Sequence, residues 1–420
     1  MTYIIFVNRY FYPDTSATSQ MLSDLAFALA ASGRSISIIT SRQLYDDASI
    51  RLADAERSKG VDIHRVWTSR FGRANLIGRT IDYATFYIFA GWKLLQLAGH
   101  GDVVVAKTDP PLLSVIVAPI ALLNRAKLVN WLQDLFPEIA EQISKPNCMV
   151  APVFAFLRML RNGSLRSACA NVVIGQRMAT KVSSLGVPND KIHVIANWAD
   201  GEQIKPLPRS ENKLREAWGV NHRFVVGYSG NLGRAHEVGT MLSAMSALAK
   251  IPGGGDRSRS TSDIVWLFIG GGALFSPLKA GIEKRGLRSA IFKPYQPLER
   301  LAESLSAADV HLVSLLGVLE GFVVPSKIYG IAAAGRPAIN IGHHDGEVAQ
   351  LLKRHDFGFT VAPGDGAGLA MAIRQLADDA ELRQRLGENA RAAFEAEFDK
   401  LRAASTWQAL LEDVGSQSRP

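Results

Sequence analysis

Short apolar runs recur along this chain, each followed by a polar loop and then by a helix-length amphipathic segment. In the first half they lie at 4–7, 36–40, 61–66, 102–106, 127–132, 171–174 and 192–195. Continuous apolar runs of this length mark strands buried on both faces of a parallel sheet. Between the first two runs, 19–32 reads as a helix, apolar at Met21, Leu22, Leu25, Phe27, Ala28 and Leu29 and stopped by Gly33. The second half starts the pattern again, with strands expected at 224–228, 264–269, 290–293, 309–313, 338–341 and 357–361. Between and after them, helices are expected at 238–249, 301–308, 328–334, 368–376 and 379–398. The stretch 201–209, with Pro206 and Pro208, reads as a linker, and 252–263 as a surface loop. The amphipathic segment 401–414 is expected to pack back across the molecule. The pattern predicts an α/β chain of two doubly wound, Rossmann-like domains facing a cleft. The domains are 1–200 (with 401–420 returning to it) and 210–400.

Composition narrows this picture. The 420 residues are 47% hydrophobic and 20% charged, enough for sizeable cores, and the formal charge is +8. That excess suits phosphate-bearing substrates, an anionic membrane surface or nucleic acid. Nucleic acid is disfavoured, because the basic residues form no stacking platform and no concentrated tail. Cys148 and Cys169 have neither disulfide-framework nor metal-site spacing. No D-x-D and no His or Cys cluster marks a metal, and no cofactor is expected. No secretory signal opens the chain, and the most apolar run, 111–123, is too short to span a bilayer. Two stretches mix aromatic or aliphatic residues with cations: 67–97, with Trp67, Arg70, Phe71, Arg73, Arg79, Trp92 and Lys93, and 145–168, with Met149, Phe156, Arg158, Arg161 and Arg166. Each reads either as ordinary helix packing or as a surface dipping into the headgroup layer.

Candidate chemistry collects after the strands, where open parallel sheets gather their functional groups. The first loop lacks G-x-G-x-x-G, which disfavours a classical dinucleotide site; Tyr12, Thr15 and Ser16 there read either as a polar substrate loop or as plain helix-capping chemistry. Asp134 follows another strand, as helix cap or functional acid. The second half has three backbone devices: the loop from Gly230 and Asn231 to Arg234, the triple Gly270-Gly271-Gly272, and Glu320-Gly321 leading to Pro325-Ser326-Lys327. The last joins a strand end, a helix start and a lysine, the parts of an anion site.

Several short motifs in order carry a family resemblance over essentially the whole chain. They are Tyr10-Phe11-Tyr12-Pro13, Trp131-Leu132-Gln133-Asp134-Leu135-Phe136-Pro137, Asn197-Trp198, Ser229-Gly230-Asn231-Leu232-Gly233, Tyr295-Gln296-Pro297, and Glu320-Gly321-Phe322 through Pro325-Ser326-Lys327. In these the chain resembles the GT-B glycosyltransferases of the retaining family 4 type, and among them the bacterial exopolysaccharide and colanic-acid fucosyltransferase-like group. The resemblance implies metal-independent transfer of a sugar from a UDP- or GDP-sugar, the second domain binding the donor and the first the acceptor. It implies catalytic roles for Glu320 and Asp134. Donor contacts would come from Gly230, Asn231, Arg234, Gly271, Tyr295, Gln296, Gly321, Ser326 and Lys327, and acceptor contacts from Tyr12, Thr15 and Ser16.

Two departures stand out. Ile328 occupies the place of a ribose-binding acid eight residues after Glu320, and Asn231 and His236 stand where a basic pair is usual. With the basic-apolar stretches, the reading expected is a cytoplasmic enzyme peripheral to the inner membrane, acting on a lipid-linked (polyprenyl diphosphate) saccharide. The alternatives are a nucleotide-sugar epimerase or hydrolase on the same fold and a non-catalytic nucleotide-sugar-binding protein.

Overall fold

A computed structural model describes residues 3–45, 47, 49–72, 76–144, 150–250 and 264–417. The expectations at Arg73, at Lys145 to Met149 with Cys148, and for the loop 252–263 lie outside the described residues. The chain forms two compact units. One runs to Ala196 and takes in Lys400 onward; the other is Asn197–Asp399.

The first unit is an eight-stranded sheet. Its strands are β1 (Ile4–Val7), β2 (Ile36–Ser41), β3 (Ala55–Ser58), β4 (Val61–Val66), β5 (Val103–Lys107), β6 (Lys127–Leu132), β7 (Ala170–Val173) and β8 (Ile192–Val194), in the order β3-β4-β2-β1-β5-β6-β7-β8. All pairs are parallel except β3 with β4. Every residue of β1, β2, β5, β6 and β7 is buried, as the continuous apolar runs require. Sequence reading missed β3, whose residues Ala-Glu-Arg-Ser are not strand formers and whose first three are exposed. It is an edge strand made by its turn: Lys59 and Gly60 both take positive φ, 48° and 82°, the two-residue hairpin geometry that matches strand twist.

The helix Lys400–Ser416 belongs to this unit. Trp407 is fully buried with its ring 4.7 Å from that of Trp131 on β6. Lys127 Nζ donates to Gly415 O at 2.6 Å, and Arg34 pairs with Glu412.

The second unit is an all-parallel sheet of β9 (Phe224–Asn231), β10 (Ile264–Gly271), β11 (Ala290–Lys293), β12 (Val310–Ser314), β13 (Ala338–Ile341) and β14 (Gly358–Val361), ordered β11-β10-β9-β12-β13-β14. Its core joins Trp266, Phe268, Val226, Leu312 and Ile339 to helix residues such as Met241, Leu278 and Ile373. At the start of β9 and β12, the Asp309 carboxylate takes Arg215 at 3.3 Å, Arg209 at 2.6 Å and the Val225 amide at 2.7 Å. The stretch 201–209, expected as a linker, is instead fixed onto this unit. Leu207 N donates to Ser306 Oγ at 3.3 Å, Arg336 donates to Leu207 O at 2.6 Å, and Ile204 is buried. Prolines gave the composition of a linker, but the backbone between them is hydrogen-bonded in place.

Candidate functional site

Three glycines shape the strand ends of the second unit. Gly230, Gly270 and Gly272 have φ of 116°, 126° and 124°, where a side chain is strained. Space demands glycine as well: a Cβ on Gly270 would overlap Gly230 O, and one on Gly272 would overlap the Asn231 side chain. Sequence reading put turns at 229 and 270. The strands instead run on, pairing Gly230 with Gly270 and Asn231 with Gly271. Leu232 N then donates to Gly271 O at 2.7 Å, and Leu274 N to Leu232 O at 2.9 Å. Tyr295 leaves β11 and lays its ring beside the modest space above Gly270 and Gly271, 59% exposed.

Lys327 opens the helix Lys327–Ala333 and points back at this edge. Its ammonium lies 3.4 Å from the centre of the Tyr228 ring and 4.0 Å from where a Gly230 Cβ would stand. Part of the residue meets solvent, but the nitrogen is covered and finds no acceptor among the described residues. Burial holds its pKa well below 10.5. A buried nitrogen with three donors and no acceptor is costly, and an anion at this spot would remove the cost and restore the charge.

The loop after β9 is tied down beside it. His236 Nδ1 sits 2.6 Å from Ser314 O, Glu237 N donates to Ser314 Oγ at 2.8 Å, and Leu316 N donates to Ala235 O at 2.9 Å. Burial, and then Lys327, bring the His236 pKa down to about 4. It is a neutral side chain at pH 7 and so adds no charge at this edge, consistent with the departure read from the sequence. Arg234 is exposed and forms no ion pair among the described residues. Gln296 donates to Pro294 O at 2.9 Å, and the Ser326 hydroxyl does not cap its helix. Gly321 turns at φ 81°. Ile328 lies in the core, 1% exposed.

Glu320 has a structural partner that sequence reading missed. Its Oε2 accepts from Glu347 N at 3.3 Å, at the start of the helix Glu347–His355. A Cβ on Gly346 would collide with the same carboxylate. The acid therefore caps a helix whose own cap residue has no side chain, a favourable place for negative charge.

The strand ends of the first unit carry a different set of groups. Lys107, the last residue of β5, is 1% exposed; its Nζ donates to Thr18 O at 2.8 Å and lies 4.0 Å from the centre of the Trp131 ring. Asp109 accepts from Thr18 Oγ1 at 3.3 Å, and Thr108 Oγ1 accepts from Gln133 N at 3.2 Å. Asp134 follows β6 on the same edge. Its Oδ1 is covered and has no hydrogen-bond partner among the described residues. Burial, then the nearby Asp109 charge, push its pKa up to about 7. Burial brings Lys107 down to about 7.

The loop residues expected around an acceptor have other engagements. The Ser16 hydroxyl and amide both donate to Asp14, so this serine serves its own turn. Tyr12 packs edge-on against Phe27, ring centres 5.6 Å apart, with Lys59 5.7 Å from its ring. Thr15 is exposed, its carbonyl taking Gln20 Nε2 at 2.6 Å. From this loop it is Thr18, not Ser16, that reaches the Asp109–Lys107 group. Asp109 and Lys107 were missed because their convergence with Asp134 depends on β5 and β6 being neighbours. Their signal was the polar run Lys107-Thr108-Asp109 directly after a buried strand.

Two family profiles match the halves in turn: "Glycosyl transferase 4-like domain" at residues 17–198 and "Glycosyl transferases group 1" at 210–393. With its two Rossmann-like units, the chain is a glycosyltransferase of the GT-B fold. The chain is 27% identical to the Pseudomonas aeruginosa protein named as glycosyltransferase WbjE, over 68% of each chain. It is 25% identical to WcaI of Escherichia coli K12, named as a colanic acid biosynthesis glycosyl transferase, over 50% of this chain and 51% of that one. Anabaena HepE, solved in complex with UDP-glucose, superposes with a TM-score of 0.70 at 18% identity, covering 98% of this chain and 100% of that one. Among the described residues no group of three or more His, Cys, Asp or Glu is placed to hold a metal ion.

Proposed function

We propose that this glycosyltransferase moves a sugar, with retention and without a metal, from a UDP- or GDP-sugar to a lipid-linked saccharide in bacterial cell-surface polysaccharide assembly. The observation that carries the reading is the covered Lys327 nitrogen, with no acceptor among the described residues, at an edge of three positive-φ glycines. Negative charge grows on the leaving diphosphate as the glycosidic bond breaks. A preorganised cation and close-approaching backbone offset it without reorganisation. Gly230, Asn231, Gly271, Gly321 and Ser326 line the approach, Arg234 adds an exposed charge, and Tyr295 and Gln296 stand toward the nucleoside. Glu320 contacts the sugar or stabilises positive charge at its anomeric carbon. Asp134 takes a hydrogen bond from the acceptor hydroxyl, and Tyr12, Thr15 and Ser16 bound the acceptor side. The UDP-glucose complex of HepE and the colanic acid role in WcaI's name support the donor class and the pathway class.

The acceptor half supports a membrane-surface location on the cytoplasmic side. The helices Leu76–Leu97, Leu113–Leu123 and Ala151–Ser167 carry Arg79, Lys93 and Arg166, while Arg158 and Arg161 are paired with Glu141 and Glu138 and the one acid on these helices, Asp82, faces Arg9. They also leave Ile77, Ile88, Trp92, Leu122, Leu123, Phe156 and Met159 exposed. Apolar side chains among cations suit the headgroup layer of an anionic membrane. No described helix is long and apolar enough to cross a membrane. Incubating the protein with bacterial membranes and a panel of labelled UDP- and GDP-sugars tests the reading. Label is expected in the lipid extract, and its anomeric configuration by NMR is expected to match the donor's. Donor turnover with no labelled lipid for any donor would sink the acceptor assignment.

A further inference from the structure

Two of those helices enclose a groove. Leu76–Leu97 packs on Leu113–Leu123, which packs on Ala151–Ser167. The groove between the first two has a volume of about 490 Å³ and is walled by Ile88, Gly91, Trp92, Leu95, Ile116 and Ile120. At Gly91 the second helix comes close: a Cβ there would lie 3.2 Å from Ile120 Cδ1. Ile88 and Trp92 are 67% and 61% exposed. Apolar surface held open in this way favours an apolar occupant in proportion to the area covered. From Tyr87 to Leu95 the groove follows its helix for about 12 Å.

One end of the groove is polar, and that end indicates the kind of molecule that fits. Tyr87 lines it, and the Tyr87 hydroxyl donates to Pro111 O. Two residues before Pro111 stands Asp109, which accepts from Thr18 and whose charge is felt by both Tyr87 and Asp134. An aliphatic trough therefore runs into the carboxylate cluster at the ends of β5 and β6. The only acid on these helices, Asp82, is turned inward to Arg9 and to the amides of Phe71 and Gly72, so it does not oppose an anionic linkage. The surfaces run from apolar to hydrogen-bonding, the order of the aliphatic and hydroxyl-bearing ends of a prenyl-linked saccharide.

We propose that this groove holds the apolar chain of the acceptor, with the saccharide end directed toward Asp134; this rests on the lipid-linked acceptor reading. Titration calorimetry of the full chain with farnesyl and geranyl monophosphate tests it. Farnesyl monophosphate is expected to bind about tenfold or more tightly than geranyl monophosphate, because each added methylene is buried. Ile88→Asp, at an exposed position that leaves the fold intact, is expected to weaken farnesyl monophosphate about tenfold or more. The double variant Lys93→Glu with Arg166→Glu is expected to lose sedimentation with phosphatidylglycerol vesicles while keeping farnesyl monophosphate binding. Prenyl binding by a wild type that ignores vesicles would support the groove and count against the membrane-surface reading alone. Equal affinity in wild type and Ile88→Asp, or lysophosphatidylglycerol binding as tightly as farnesyl monophosphate, would overturn the groove assignment even with sugar transfer and vesicle binding intact.

Discussion

The two sheet edges use the same topology for opposite chemistry. Both collect their groups beyond the carboxyl ends of parallel strands. The second unit presents glycine backbone and one covered nitrogen, Lys327, with His236 held neutral beside it. The first presents paired acids, Asp109 and Asp134, over a lysine already bonded to Thr18. In the proposed reading one edge receives the negative charge of the donor and the other a proton or hydroxyl of the acceptor. Topology gives the position of a site, and the residue types placed there give its reaction.

The largest expected effect follows from removing the covered Lys327 cation. Lys327→Met is expected to lower transfer about a hundredfold or more with the melting temperature little changed, since preorganised donors to a developing anion are worth that much. Loss of less than tenfold would return Lys327 to a packing role. Next comes Asp134→Asn, expected to lower turnover about a hundredfold, within the range of positioned proton-transfer groups.

The same aspartate has a signature in stability. Its folded carboxyl keeps its proton to about 7 against an ordinary 3.8, so its contribution falls as pH rises between those values. Lys107, at about 7 folded against 10.5, contributes stability that rises with pH between those values. Melting curves across pH should therefore lose part of their acid-side slope in Asp134→Asn and keep the alkaline side.

Gly270→Ala is expected to cost about 2 kcal/mol by strain at its positive φ and to weaken donor binding, because the new methyl meets Gly230 O. Chemical denaturation alongside a donor titration measures both. The smallest effect belongs to Arg234→Ala: an exposed cation without a partner should change donor affinity less than about threefold.

Much of this was legible in the sequence because apolar runs and glycines act locally. The strands of both sheets other than β3, the terminal helix and the glycine-rich strand ends of the second unit appear close to where the residue pattern puts them. What escaped depends on contacts between distant residues. β3 exists through a turn and a partner, not through its own propensity. The Glu320 cap needs Gly346 brought to it across the fold. Lys107 and Asp109 join Asp134 through the pairing of Lys107 with Trp131 across β5 and β6. The 201–209 stretch had the prolines of a linker but the hydrogen bonds of a packed segment.

The most direct measurement is a calorimetric titration of UDP and GDP into wild type, Lys327→Met and Asp134→Asn. If the second unit's edge takes the donor diphosphate, one nucleotide binds wild type and Asp134→Asn alike. Its affinity then falls about 10- to 100-fold in Lys327→Met, the worth of a charge-assisted contact. Undiminished binding in Lys327→Met, or its loss in Asp134→Asn, would contradict the division of labour between the two edges.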